Sequence, residues 1–263
     1  MESTLSLTRD QLRQAVGIYA GFGPTFSSYS ADSQSQVDLV IDAGLRSFYD
    51  PLPLPGEKES HVWSFRTPLF TQPLSAAVLD YDLPDDFAGL VDHRAYLSAD
   101  DQSWTEINVT NVVRMLNLRQ RDTQAFSGAP TLIAVQVKQT NGQTPTRWQL
   151  MVWPAPDSNY SVRMRYVSNP YQLSAGQPYP LGGQPHSETI REAVLAAAER
   201  EFDGEMGIHN QQFAMRLLSS VSIDRRASGP AYLGYCGDRS GESNLFRDRW
   251  NHQAVTVNGV IPE

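Results

Sequence analysis

Apolar residues recur at every third or fourth position between residues 37 and 48, which predicts an amphipathic helix with one buried face. The stripe comprises Val37, Val40, Ile41, Gly44, Leu45 and Phe48. Asp32 or Ser33 can cap the start of this helix, because a short polar side chain accepts hydrogen bonds from free backbone N–H groups. Prolines at positions 51, 53 and 55 cannot continue a helix, so the helix is expected to end before them.

A first helix is predicted upstream, where Thr8 and Gln11 have the spacing of a capping box. Leu12, Val16 and Tyr19 then follow at helical spacing. The glycines and proline within residues 21–24 end the pattern and open a turn. Residues 1–50 are therefore predicted to form a helical hairpin.

Between residues 51 and 175 the helical spacing gives way to period-two alternation, with frequent proline, glycine and aromatic residues. Strands are predicted at residues 61–65, 90–97, 132–137, 148–153 and 161–167. Asn141 and Gly142 form a turn signal between the third and fourth of these strands. Residues 108–118 fit either a strand or a short helix. The whole stretch is predicted to be a β-rich domain.

Residues 176–223 are predicted to complete the helical body: helical spacing returns after residues 176–185, a linker rich in glycine and proline. Ser187 is a suitable cap for a helix whose stripe runs from Ile190 to Phe202 and has alanines at its centre, which allow a close helical neighbour. A second helix is predicted at residues 209–221, with Phe213 and Leu217 on one side.

Two helices before the β-rich domain and two after it favour one four-helix body; two independent helical hairpins are the alternative. Short helices cannot bury their stripes within a single hairpin, which favours the single body. The predicted fold class is therefore α+β: a four-helix body from residues 1–50 and 176–223, an inserted β-rich domain at 51–175, and an extended C-terminal arm at 224–263.

The arm combines scattered glycines with aromatic and arginine side chains, and its charges nearly cancel. Disordered tails usually lack aromatic residues, whereas aromatics and arginines together are typical of binding hot spots. Two interpretations stay open, an arm that needs a partner and a tail packed on its own domain. Residues 254–260 could also add a strand to the sheet edge of a partner.

The formal net charge is −8, and Cys236 is the single cysteine. The acidic balance argues against a protein that binds nucleic acid by itself, although DNA can pass an acidic wall without being held. One cysteine excludes an intrachain disulfide and a multi-cysteine metal site. No apolar run approaches the length of a membrane span and no signal peptide is apparent, so synthesis in a cytoplasm is expected.

No motif points to catalysis, a metal or a cofactor. The five histidines lack the spacing of metal ligands, Ser187 lacks a nucleophile elbow, and Cys236 has no evident base beside it. A hydrolase with an unfamiliar site therefore has no motif behind it. A carbohydrate-binding module is the other alternative, because aromatic faces stack on sugars. The predicted β-rich domain contains Trp104, Trp148, Trp153 and Tyr160.

Several segments carry a family resemblance in their order along the chain. They are IDAGLRSFYDP at 41–51 with WSF at 63–65, DLPDDF at 82–87, WPAPD at 153–157, HSETIREA at 186–193, SIDRR at 222–226 and LGY at 233–235. In this order they resemble head–tail adaptor proteins of tailed bacteriophages, similar to the tail tubular protein A type. The likeness covers about residues 12–235.

The resemblance implies a non-enzymatic structural protein at the head–tail junction of a virion, made in a bacterial host. Such adaptors form a ring of about twelve copies under the portal protein, extend the DNA channel and dock the next neck or tail protein. Double-stranded DNA is expected to pass through the lumen without specific binding, and no cofactor or membrane is expected. The arm is expected to bind the portal through Arg225, Arg226, Tyr232, Tyr235, Phe246 and Trp250.

Overall fold

The computed structural model describes residues 5–121, 127–138, 142 and 145–228. The described part contains five α-helices and seven strands, which confirms the α+β class. The helices are α1 (Arg9–Tyr19), α2 (Ala31–Tyr49), α3 (Val112–Arg121), α4 (Ser187–Phe202) and α5 (Ile208–Ser228). Residues 1–226 form one compact unit. The second unit covers residues 227–263, of which only Ala227 and Ser228 are described, as the last residues of α5.

The helix starts agree with the sequence at α1 and differ at α2 and α4. At α1 the capping box is confirmed: Gln11 N donates to Thr8 Oγ1 at 3.3 Å, and Thr8 N donates to Gln11 Oε1 at 2.9 Å. The prediction for α2 is wrong, because Ser30 is the cap and accepts from Ser33 N at 3.2 Å. Ser30 has the extended backbone that a cap requires, whereas Asp32 and Ser33 already lie in the first helical turn.

The predicted cap at Ser187 is also wrong. A 3-10 turn (Gln184–His186) leads directly into α4, so Ser187 is the first residue of the helix and no side chain caps it. The Ser187 hydroxyl donates instead to Gly183 O at 3.1 Å, one turn back along the chain.

The helical core draws buried side chains from α1, α2, α4 and α5. Leu12, Ile41, Phe48, Val194 and Val221 belong to this cluster and are almost completely buried. Helices α2 and α4 approach each other closely at Gly44. A Cβ atom at this position would lie 2.4 Å from Val194 Cα. Glycine at this position lets the two helices pack closely, as the small residues of the α4 stripe predicted.

The strands form one mixed sheet in the order β1-β7-β3-β4-β5-β6-β2. They are β1 (Leu69–Leu74), β2 (Asp80–Asp82), β3 (Phe87–Ser98), β4 (Thr105–Val109), β5 (Leu132–Lys138), β6 (Arg147–Trp153) and β7 (Tyr160–Ser168). Neighbours are antiparallel except β4 and β5, which pair in parallel. Four of the five predicted strands are confirmed as β3, β5, β6 and β7.

The stretch that fitted either a strand or a helix contains both. Residues of β4 pair with β3, and α3 follows after two residues. Met115 of α3 is fully buried against Ala134 and Met151 of the sheet, so one side of the helix covers β5 and β6. Gly142 lies between β5 and β6 with a positive φ of 78°, which fits the predicted turn, while Asn141 lies outside the described residues.

The predicted strand at residues 61–65 is wrong. The segment is irregular and ends in a 3-10 turn (Ser64–Arg66), and Trp63 is buried in the helical core. Its indole Nε1 donates to Phe48 O at 3.0 Å, at the end of α2. The aromatic side chains therefore pack on helices and not on a neighbouring strand.

Candidate interaction surface

The end of α5 is attached to the segment after the prolines by one buried carboxylate. Asp224 has a relative exposure of 3%. Its Oδ2 lies 2.9 Å from His61 Nε2 and accepts from Ser64 N at 3.0 Å, and its Oδ1 accepts from the Ser64 hydroxyl. These contacts fix the helix over the stretch where the sequence had predicted the arm to begin.

The hydrogen bonds around Asp224 favour its ionised carboxylate. Burial alone raises the pKa of Asp224, but the hydrogen bonds from Ser64 and His61 outweigh burial, and the net pKa is lowered. Burial lowers the pKa of the neighbouring His186, against an opposing effect of Asp224. The His186 Nδ1 is buried and has no hydrogen-bond partner among the described residues, while the ring packs on Trp63 at 5.2 Å between centroids.

Two of the six predicted portal-binding residues are described, and both lie on α5. Arg225 forms an ion pair with Glu57 at 2.7 Å, and Arg226 is exposed on the last turns of the helix. The helix thus continues beyond its predicted end at residue 221. Tyr232, Tyr235, Phe246 and Trp250 lie outside the described residues, as does Cys236.

An apolar depression lies beside α5. We call it the apolar groove: it has a volume of about 650 Å³ and is bounded by α4, α5 and the proline segment, residues 51–55. Its apolar lining residues include Leu52, Leu54, Met206, Phe213, Met215 and Leu218. Asp50 and Arg200 are the charged side chains among the residues that line it.

Several lining residues of the groove expose large apolar side chains. Leu52 is 84% exposed, and Met206 and Met215 are each 69% exposed. A contiguous apolar surface of this kind is typical of a protein–protein contact, and methionines suit an adaptable one. The groove was not predicted from the sequence, although a signal existed: α5 has apolar residues on a second side, at Met215 and Leu218.

A buried arginine holds the helical core to the sheet. Arg66 is 5% exposed; its Nη1 donates to Tyr49 O and Asp50 Oδ1, both at 2.7 Å, and its Nε donates to Ser168 O at 3.0 Å. One side chain therefore connects the end of α2, the 3-10 turn and the end of β7. This arginine is one of the contacts between the helices and the sheet within residues 1–226, and no sequence pattern had pointed to it.

Ser187 and two of the tryptophans considered for other functions are engaged in packing or local hydrogen bonds. The Ser187 hydroxyl is tied to backbone groups of Gly183 and Leu7. The Trp104 ring lies under the Arg163 guanidinium at 3.9 Å, and Trp148 packs against Phe87. An aromatic face that is already covered offers little area to a sugar ring.

No group of three or more His, Cys, Asp or Glu side chains that could hold a metal ion occurs among the residues that the structure describes. None of the described helices has both the length and the apolar character needed to cross a membrane.

Comparison with known proteins gives one family match. The family model described as SU10 adaptor protein matches residues 8–234, most of the chain. The match includes α1 and α2 before the strands, all seven strands, and α4 and α5 after them. No curated protein matches this chain. Because the match covers far more than half of the sequence, the chain belongs to the SU10 adaptor protein family.

Proposed function

We propose that this protein is a head–tail adaptor that forms a ring of about twelve copies beneath the phage portal. The observation that carries the proposal is the family match over residues 8–234, because family membership implies a structural, non-enzymatic adaptor role in a virion. The ring, the contact with the portal and the likeness to the tail tubular protein A type are proposed from the sequence resemblance. The protein is synthesised in the bacterial host and acts at the head–tail junction.

The proposed ring extends the DNA channel and docks the next neck or tail protein. A net charge of −8 suits a wall along which double-stranded DNA moves without specific binding, because tight phosphate contacts would slow its passage. A ring also needs two different contact patches on each copy. The apolar groove is a suitable patch, because it is large, exposed and nearly uncharged.

The proposed fold consists of a four-helix body, an inserted β-rich domain and a C-terminal arm that binds the portal. The shared core of α1, α2, α4 and α5 supports the body. In this proposal Arg225 and Arg226 contact the portal from the end of α5, and the aromatic residues Tyr232, Tyr235, Phe246 and Trp250 anchor the arm that follows. Asp224 and Glu57 support this role by fixing the point from which the arm departs.

Deletion of residues 229–263 tests the portal contact while leaving α5 whole. We expect the shortened protein to unfold at nearly the same temperature as the full chain, because the Asp224 and Arg225 contacts remain, and to lose portal binding in sedimentation. A matched control deletes only residues 251–263, which keeps all six proposed contact residues and should preserve binding. Unchanged portal binding after the longer deletion would refute the proposed role of the arm.

A further inference from the structure

We infer that the apolar groove of one copy receives the α1 side of a second copy of this chain, in a head-to-tail contact. The inference rests on the proposed ring and names the surfaces that would build it. The α1 face is defined here as Gln14, Ile18, Glu188 and Arg191, which line one shallow depression formed by α1 and the first turns of α4.

The groove offers a receptive surface. Phe213, which is half-buried, and Leu217, which is buried, form the floor of the groove. Met215 and Leu218 are exposed on α5 at its edge. Exposed methionines adapt their shape to an inserted side chain, and water leaves the apolar lining when a partner covers it. The α1 face supplies such a side chain in Ile18, which is 57% exposed near the end of α1.

The two surfaces lie on opposite sides of the same helix. The groove is lined by Ala193, Ala196 and Arg200 of α4, whereas the α1 face is lined by Glu188 and Arg191. At 3.6 residues per turn, these two sets are separated by roughly 140° around the helix axis. Two different patches on opposite sides of a subunit produce a heterologous contact that propagates from copy to copy and can close into a ring.

Each surface carries one acidic and one basic side chain. Asp50 of the groove is already paired with Arg66, which leaves Arg200 as the charge that the groove offers to a partner. Arg200 lines the groove and forms no ion pair with a carboxylate in the described part of the chain. Glu188 on the α1 face has only a loose contact with Arg191, at 3.9 Å, and both side chains are about half exposed. Contact between copies would bring the Glu188 carboxylate towards the Arg200 guanidinium, which favours this pairing over groove-to-groove contact.

The test uses three full-length lysine variants that each add one positive charge at an exposed apolar position. Met215→Lys disrupts the groove and Ile18→Lys disrupts the α1 face. Val113→Lys is the matched control, because Val113 is 68% exposed on α3 and belongs to neither surface. Sedimentation velocity, with and without the portal ring from the same genome, measures how many copies associate.

We expect the Val113 variant to assemble like the wild type. The association constant of each of the other two variants should fall at least tenfold. An equimolar mixture of the Met215 and Ile18 variants should form pairs but nothing larger, because each pair has one intact groove facing one intact α1 face. Wild-type assembly by either single variant would overturn the inference while leaving the ring intact. A mixture that forms no pairs under conditions in which the wild type assembles would also overturn it.

A wild-type protein that never self-associates, even on the portal, would refute the proposed ring itself and this inference with it. Circular dichroism of each variant establishes that the helices are retained. Because all three positions are exposed, a loss confined to the Met215 and Ile18 variants reports a lost contact and not a lost fold.

Discussion

At position 44 a single hydrogen atom in place of a side chain sets the distance between two helices. The nearest backbone atoms, Val194 Cα and N, lie 2.4 and 2.8 Å from where a Cβ would stand. Backbone atoms cannot move aside as a flexible side chain can, so α2 and α4 would have to separate. The sequence showed Gly44 within the apolar stripe and alanines in α4, but it could not show which residues meet.

We predict that Gly44→Ala destabilises the protein by about 1–3 kcal/mol through overpacking, although alanine is the better helix former. The control is Gly89→Ala, because a side chain there meets open space and the glycine has no positive φ. Urea unfolding followed by circular dichroism measures both. Equal stability of the two variants would contradict the close approach of α2 and α4.

Protonation of His186 links stability to pH. Burial lowers the pKa of His186 below its ordinary value, so the unfolded chain binds the proton more tightly than the folded one. The contribution of neutral His186 to stability is therefore complete above about pH 6.5, the ordinary pKa of histidine. It decreases as the pH falls below that value. Asp224 and His61 influence this group in opposite directions, Asp224 raising and His61 lowering its pKa.

We predict that the wild type loses stability between pH 7.5 and pH 5.5, and that His186→Phe loses less over the same range. Phenylalanine keeps a ring against Trp63 and removes the buried Nδ1 that has no partner in the described part of the chain. Urea unfolding at several pH values measures the two slopes. Identical slopes would mean that His186 does not carry this pH dependence.

Among the elements, α1 shows most directly how local sequence fixes structure. Its capping box was readable from two residues, Thr8 and Gln11, and both reciprocal hydrogen bonds are present. We predict that Thr8→Ala costs about 1 kcal/mol of stability. Thr25→Ala is the control, because Thr25 precedes a 3-10 turn without making a side-chain cap and should change stability little. Thermal unfolding compares the stability of the two variants. An equal loss of stability in both would count against a stabilising role of the capping box.

Other elements were not predicted correctly, because contacts that are distant in sequence determine them. Residues 61–65 alternate like a strand, yet Trp63 packs on Phe48 because the helical core offered an apolar site for it. The strands β1 and β2 were not predicted, since β1 contains a proline and β2 has only three residues. Ser187 looked like a cap, but the preceding 3-10 turn already occupied the capping position.

At the scale of the whole molecule, the succession of helices, then a sheet, then helices was accessible from sequence, whereas the interaction surface was not. The apolar groove joins residues 50–55 to residues 193–218, and no local pattern relates these stretches. The end of α5 was likewise missed, because Asp224 is held by Ser64 and His61 from far along the chain.

The measurement that tests the central proposal most directly is sedimentation velocity of the full-length protein mixed with the portal ring from the same genome. We predict one complex in which about twelve copies sediment with each portal ring, as a closed adaptor ring requires. A folded protein that stays separate from the portal at every ratio, with its thermal unfolding unchanged, would contradict the proposal that this chain forms a ring on the portal.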